Sequence, residues 1–296
     1  MNRFIDTTSR CSLALFRWLG QRTLPIARRR TRWLAHPLRW LMRRRRRIVA
    51  RNLELCFPDA SAAERRSIEQ AHFRELAESL GEIAYCWRHQ APLDASVGDV
   101  TGLDFLEAAR RGKQGIILLT GHTCSIELGG RLLCERLPIT GVYRPLHNAQ
   151  FESYQTTSRL RYAKQMLARE NVRGMVRTLR NGGILWTAMD QDFGPERSLF
   201  APFFELPTAT AKGLLDLARL GRARVHPVYP FKDPHTGVIE MRIEPAFEPF
   251  PSDDPVADLA SYNAFLEHSI RVQPAPYWWL HRRFKTAPKG AAPRYQ

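Results

Sequence analysis

Cysteine and long apolar runs are both scarce in this sequence of 296 residues. The five cysteines are odd in number and include no Cys-x-x-Cys pair, a usage that favours a reducing compartment over a disulfide or metal framework. No stretch approaches the roughly 20 uninterrupted apolar residues of a membrane-spanning helix, because arginines interrupt every candidate before residue 42. We therefore predict no spanning helix, and no signal peptide, metal or cofactor.

Acidic residues are nearly absent from the first part of the chain. Residues 1–51 hold fifteen arginines and one aspartate, and so carry most of the formal net charge of +16. Leucines and three tryptophans alternate with arginines over residues 9–42, a composition typical of helices that lie on an anionic membrane. Two other interpretations stay open: helices that pack on the body and present arginine to water, or an arm that binds nucleic acid. Tryptophan prefers the lipid headgroup level, which favours the membrane.

After this arm (residues 1–42), the chain (residues 43–296) alternates short apolar runs with helical patterns. This alternation predicts an α/β fold with a mixed, largely parallel sheet flanked by helices. Ser61 and Glu64 form a Ser-x-x-Glu capping box and predict the start of a long helix. Phe151 to Leu167 is predicted to be helical, and residues 193–211 to be a long loop. The predicted strands cover residues 116–119, 139–143, 184–189, 224–229 and 238–243, the last of them antiparallel.

The stretch GIILLTGHTCSIELGGR, residues 115–131, places His122 directly after a buried strand. Ligand chemistry in open α/β sheets gathers at strand carboxyl ends. If a helix begins near Cys124, Glu127 lies in its first turn and can reach back to His122. A carboxylate on one imidazole nitrogen leaves the other free as a general base. The alternatives are an ordinary polar contact, or a nucleophilic Cys124 or Ser125 with His122 as its base.

Polar residues also follow two other predicted strands. Arg144 follows the strand at 139–143, while Asp190 and Asp192 follow the strand at 184–189. The carboxyl ends of parallel strands share one edge of a sheet, so these residues are expected near His122. Arg144 could also be a surface residue, and the two aspartates could be turn residues or ligands of a cation. Their convergence supports a catalytic site around His122.

Several separate stretches together resemble the lipid A biosynthesis acyltransferases, the late lauroyl and myristoyl transferases of Gram-negative bacteria. The resemblance covers about residues 43–290 in the order of that family. NLELCFP and YWWLHRRFK are its most specific parts, whereas His-x-x-x-x-Glu alone is weak. The matching segments are RRRRIVARNLELCFPD (43–59), GHTCSIELGGR (121–131), VYRPLHN (142–148), LRNGGILWTAMDQDFG (179–194), FAPFFELPTATAKG (200–213) and YWWLHRRFKTAP (277–288).

The resemblance implies a glycerolipid-acyltransferase-like fold and transfer of a lauroyl or myristoyl chain from acyl carrier protein. The acceptor would be a hydroxyl of a Kdo-bearing lipid A precursor, at the cytoplasmic face of the inner membrane, with no nucleic-acid partner. His122 and Glu127 would be catalytic. The resemblance extends a substrate-binding role to Arg144, Asn148, Arg159, Asp190, Gln191, Asp192 and Thr208. Phe203 and Phe204 are expected either beside the acyl chain or in the core.

This sequence departs from the family pattern in three places. Its N-terminal region is short and rich in arginine where a longer hydrophobic anchor is usual. Thr123-Cys124 and Glu205-Leu206 also replace the common residues at their positions. The alternatives left open are an acyltransferase for another glycolipid or a lysophospholipid, and a membrane-surface or nucleic-acid binding protein without activity.

Overall fold

The computed structural model describes residues 2–93 and 96–295, with side chains from residue 11 onward. The helices are α1 (Asn2–Leu19), α2 (Leu24–Arg32), α3 (Ala35–Leu41), α4 (Arg43–Cys56), α5 (Ala62–Arg88), α6 (Glu107–Arg111), α7 (Ile126–Arg136), α8 (Ala149–Arg159), α9 (Val172–Arg180), α10 (Gly213–Gly221) and α11 (Pro255–Val272). The strands are β1 (Gly98–Thr101), β2 (Ile116–Thr120), β3 (Ile139–Tyr143), β4 (Gln165–Ala168), β5 (Ile184–Ala188), β6 (Ser198–Phe203), β7 (Leu206–Ala211), β8 (Arg224–Lys232) and β9 (Ile239–Ile243).

Seven strands form one mixed sheet in the order β1-β9-β8-β2-β5-β3-β4. Strands β8, β2, β5, β3 and β4 run parallel, while β9 is antiparallel to β8 and carries β1 at the edge. The predicted α/β class, the largely parallel sheet and the antiparallel strand at 238–243 are therefore confirmed.

Strand β2 lies at the centre of the sheet because its side chains are apolar on both faces. Ile117 and Leu119 belong to one buried cluster, and Ile116 and Leu118 to the other. All five residues of the strand are buried. Two hydrophobic cores thus enclose the sheet, as expected for a parallel sheet covered by helices. The end of β2 is held firmly in the middle of the molecule.

Two predictions about local structure were wrong. The helix expected over residues 151–167 ends at Arg159 and is followed by strand β4. The loop expected over residues 193–211 contains the antiparallel hairpin β6–β7, in which Pro202 lies opposite Pro207. The hairpin forms a separate two-stranded sheet, so its prolines cost no hydrogen bonds of the main sheet.

The N-terminal helices pack against α5, whose predicted capping box is present at Ser61 and Glu64. Helix α2 buries Leu24, Ala27 and Thr31. Nε of Arg28 donates to Glu82 at 2.8 Å, and both side chains are buried. None of the described helices is both long enough and apolar enough to cross a bilayer. The division of the chain at residue 42 stays a prediction.

Candidate active site

Tyr262 of α11 ties together the ends of the two central strands that carry the site. Its hydroxyl donates to the carbonyl of Thr120 at 2.7 Å and accepts from the amide of Met189 at 3.3 Å. Gly121, which follows β2, lies so close to α11 that a Cβ there would stand 2.7 Å from Cδ2 of Leu266. The turn that follows β2 is thus fixed against its neighbours.

His122 is paired with Asp190, which follows β5. Nδ1 of His122 lies 2.5 Å from Oδ1 of Asp190, and the His122 amide donates to Oδ2 at 3.0 Å. Asp190 is fully buried, whereas the side chain of His122 is 30% exposed. Because an ionised carboxylate only accepts hydrogen bonds, Nδ1 carries the proton. Nε2 is left without a hydrogen bond to any described residue.

The charges of this pair stabilise each other. Burial alone would lower the pKa of His122, but the Asp190 carboxylate outweighs burial and raises it above 6.5. Burial likewise opposes ionisation of Asp190, but the neighbouring His122 ring holds the pKa of that carboxyl well below its usual range. His281 lies near the same carboxylate, yet burial lowers the pKa of His281 to about 4 and keeps it neutral. His122 is therefore the imidazole that can gain a proton near neutral pH.

Glu127 is in the first turn of α7, as predicted, but its partners are not the expected ones. Its carboxylate accepts from Nε1 of Trp87 at 2.7 Å, Nε of Arg159 at 3.0 Å and the hydroxyl of Tyr162 at 3.1 Å, with a second contact from Arg159. Burial opposes its ionisation, but Arg159 lowers the pKa of Glu127 overall. The pairing expected between Glu127 and His122 is thus corrected: the carboxylate on Nδ1 belongs to Asp190.

The C-terminal segment after α11 closes over the His122 turn. The Trp278 amide donates to the carbonyl of His122 at 3.0 Å, and the Cys124 amide donates to the carbonyl of Pro276 at 2.8 Å. Asp192 accepts from the Thr286 amide at 2.6 Å and the Thr286 hydroxyl at 2.8 Å. Asp190 and Asp192, two residues apart, therefore serve different partners.

Two cavities meet at His122. Cavity 1, of about 220 Å³, extends along α7, β3 and the turn after α8. Cavity 2, of about 680 Å³, opens between the ends of β3 and β5 and helices α9 and α10. Both cavities are lined by His122, Ile126, Val142, Tyr143, Arg144 and Trp186. Glu127 and Arg159 line cavity 1, and Gln191 lines cavity 2.

The remaining predicted residues fall into two groups. Arg144 is exposed at the junction of the cavities and makes no hydrogen bond or ion pair with the described part of the chain. Asn148 instead caps α8, and buried Thr208 donates to the carbonyl of Leu206 at 2.8 Å. Phe203 and Phe204 belong to the buried core. None of these last four residues lines either cavity.

Sequence reasoning missed the aromatic residues that shape the site. Trp186 forms a wall shared by both cavities, and Gly130 makes room for it, since a Cβ at Gly130 would lie 2.3 Å from Cζ3 of Trp186. Trp87 and Tyr162 hold Glu127, and Tyr262 holds the strand ends. Trp186 was the one of these residues that the sequence could have indicated, as a bulky aromatic residue within a predicted strand. The roles of Trp87, Tyr162 and Tyr262 depend on contacts between segments that are distant in the sequence.

Cys124 does not have the setting of a nucleophile. Its side chain is buried, and burial raises the pKa of the thiol well above its ordinary value. A thiol attacks as the thiolate, so a raised pKa makes it inert. The chemistry available here is proton transfer at Nε2 of His122.

Comparison with known proteins shows the family of this chain. The sequence pattern of the family described as bacterial lipid A biosynthesis acyltransferase matches residues 5–286. The lipid A biosynthesis lauroyltransferase of Escherichia coli K12 is 38% identical over 256 residues, or 86% of this chain and 83% of that protein. The palmitoleoyltransferase of the same organism is 38% identical over 255 residues, with the same coverage. Its myristoyltransferase is 27% identical over 256 residues, or 86% of this chain and 78% of that protein.

These relatives define an acyltransferase. The chain belongs to the bacterial lipid A biosynthesis acyltransferase family, which confirms the resemblance drawn from its motifs. Membership implies a lipid A precursor as substrate.

Proposed function

We propose that this chain transfers a lauroyl or myristoyl group from acyl carrier protein to a hydroxyl of a Kdo-bearing lipid A precursor. The observation that carries the proposal is the His122–Asp190 pair: Nδ1 of His122 contacts Asp190, and His122 lines both cavities. The lauroyl and myristoyl groups are those of two of the relatives, a lauroyltransferase and a myristoyltransferase, whereas a third relative is a palmitoleoyltransferase.

His122 acts as the general base. Nε2 takes the proton of the acceptor hydroxyl while that oxygen attacks the thioester carbonyl. Asp190, as a positioning residue, fixes the tautomer and stabilises the imidazolium. The tetrahedral intermediate then expels the carrier thiolate, which takes the proton from Nε2. The ester bond forms, the thioester bond breaks, and the imidazole is neutral again.

Arg159 is suited to stabilise the charge that develops on the thioester oxygen. Glu127 holds one side of its guanidinium, and the side chain lines the cavity that contains His122. A donor fixed in advance costs little reorganisation during the reaction. Glu127 thus contributes to catalysis by positioning the guanidinium of Arg159. Arg144 and Gln191 face the substrate as well, whereas Asn148, Asp192 and Thr208 hold the surrounding backbone.

The protein acts at the cytoplasmic face of the inner membrane, attached through its N-terminal helices. Trp33, Trp40 and Leu41 are 67%, 62% and 69% exposed, which is unusual for large apolar side chains. Arg43 stacks over the Trp40 ring at 5.0 Å and the neighbouring arginines are exposed. Apolar tips beside cations suit an anionic bilayer surface.

The test is acyl transfer by the wild-type chain and His122→Ala. Each protein is incubated with a tetra-acylated Kdo-bearing lipid A precursor and with acyl carrier proteins that bear chains of different length. The mass of the lipid product is measured by mass spectrometry. We expect one added chain with wild type and a loss of at least about 10²-fold in the variant. Equal transfer by His122→Ala would contradict the assignment. Transfer to a lysophospholipid alone would replace the proposed acceptor.

A further inference from the structure

The two cavities at His122 differ in size and in whether their arginines are paired within the protein. Cavity 2 is about 680 Å³, whereas cavity 1 is about 220 Å³. Two arginines of cavity 1 are engaged within the protein: Arg159 donates to Glu127, and buried Arg131 donates to the backbone carbonyls of Cys86, His89 and Ala91. Much of the remaining lining is small or apolar and includes Cys134, Ile139, Gly141, Ala163 and Met166. Such a narrow pocket matches one hydrocarbon chain.

Cavity 2 has an apolar wall, and arginines lie among its exposed lining residues. Val172 and Leu220, at 51% and 49% exposure, and Phe193, at 40%, bring large apolar side chains to its opening. Exposed apolar residues grouped around an opening typically mark a ligand groove. The wall continues inward through Met175 and Leu217.

Three arginines and two acids line the same cavity. Arg169 forms an ion pair with Glu170, in which Nε lies 2.7 Å from Oε1. The guanidinium groups of Arg144 and Arg197 are exposed and make no hydrogen bond or ion pair within the described ranges. Asp216 is the remaining acid and is exposed on α10. Two arginines with free planar donors are suited to bind phosphate oxygens in pairs.

We infer that cavity 2 is the acceptor subsite, that Arg197 together with Arg144 binds the phosphate groups of a multi-chain lipid, and that cavity 1 takes the single donor chain. This assignment rests on the proposed function for the donor, but the binding of a phosphorylated lipid does not require turnover. Trp186 lines both cavities and therefore borders both hydrocarbon regions beside His122.

The test measures binding separately from transfer. The full chain in neutral-detergent micelles is titrated with a phosphorylated, acylated glucosamine disaccharide, and the dissociation constant is measured by microscale thermophoresis. We expect Arg144→Gln and Arg197→Gln each to weaken binding about tenfold, as for the loss of a charge-assisted hydrogen bond. Arg173→Gln is the matched control, since Arg173 is an exposed arginine of α9 outside both cavities. It should bind like wild type.

Three further binding measurements separate the contribution of the phosphate groups from that of the hydrocarbon chains. Removing the phosphates from the lipid should weaken wild-type binding to the level of the double arginine variant. Inorganic phosphate alone should fail to compete at equal concentration, since it lacks the hydrocarbon. Val172→Asp should weaken lipid binding, whereas Val256→Asp, at an exposed valine of α11 outside cavity 2, should not.

Unchanged affinity in both arginine variants, or equal binding of the dephosphorylated lipid, would overturn the subsite. So would competition by inorganic phosphate at equal concentration. Failure of the proposed function is distinguishable: wild-type protein would then bind the phosphorylated lipid through Arg197 but add no acyl chain in the mass-spectrometric assay. Binding with the expected losses supports the subsite in either case.

Discussion

His122 takes its carboxylate partner from a residue 68 positions away in the sequence. Asp190 is fully buried beside it, and Glu127, only five positions away, is turned toward Trp87, Arg159 and Tyr162. The spacing His-x-x-x-x-Glu predicted that both residues lie close together, and both line cavity 1. It could not show which acid touches Nδ1, because that depends on how β2 and β5 lie side by side.

Glu127→Gln should destabilise the fold as well as reduce activity. The substitution removes the negative charge beside Arg159 and sets a new amide donor against groups that already donate. Breaking a buried ion pair in this way costs about 3 kcal/mol or more. The measurement is urea unfolding. Glu107→Gln is the control, because Glu107 pairs with Arg111 on an exposed helix face and should cost under about 1 kcal/mol.

Full stability of Glu127→Gln together with a complete loss of transfer would contradict this role. It would mean that Glu127 acts directly on the reacting groups instead of holding Arg159.

Among the elements, the central strands were predictable and the hairpin was not. Strands β2, β3 and β5 can be predicted because each is a short apolar run bounded by glycine or polar residues. Strand β4 follows α8 without a clear break in polarity, so its sequence reads as a continuation of the helix. The β6–β7 hairpin turns at Phe204 and Glu205, which both have positive φ without being glycine. Nothing in local propensity predicts such a turn.

Helix α11 should control the site through one hydroxyl. In Tyr262→Phe, the buried carbonyl of Thr120 loses its side-chain donor and the Met189 amide loses its acceptor. We expect a loss of about 1–3 kcal/mol in the free energy of unfolding and a lower transfer rate, because both strand ends carry the His122–Asp190 pair. Chemical denaturation and single-turnover transfer measure the two effects.

Tyr229→Phe is the matched control for this prediction. Tyr229 is equally buried in β8, but its hydroxyl has no hydrogen-bond partner among the described residues. Removing that hydroxyl should leave stability unchanged or slightly improved. If the two variants lost the same stability, the link through Tyr262 would not be what holds the strand ends.

At the scale of the whole molecule, the arginine-rich N-terminal region has residues that pair with the body and residues that face outward. Arg28, Arg39 and Arg46 pair with Glu82 or Glu69 of α5. Others, with Trp33, Trp40 and Leu41, face outward. Composition predicted an arm on a membrane surface, which stays a prediction. It could not show how far these helices pack on the body, since the partners of these three arginines lie in a distant helix.

Replacing Trp33, Trp40 and Leu41 together by serine should weaken binding to vesicles of phosphatidylcholine and phosphatidylglycerol. The loss of three exposed apolar tips should lower the partition coefficient by about tenfold or more. Cosedimentation with vesicles measures it. The control triple replaces Phe105, Val256 and Val272, which are also exposed but lie on other elements. Equal losses in both triples would contradict attachment through this surface.

The pH dependence of transfer tests most directly whether Asp190 holds His122 as the general base. With His122 as the proposed base, transfer needs the neutral imidazole and should fall as pH drops through the raised pKa of His122. In Asp190→Asn the pKa of His122 falls, so the acid limb should move to lower pH while the plateau drops about 10²-fold or more. Asp192→Asn removes the charge of a carboxylate that contacts Thr286 and not His122, and it should keep the wild-type limb. An unshifted limb and wild-type plateau in Asp190→Asn would contradict the account.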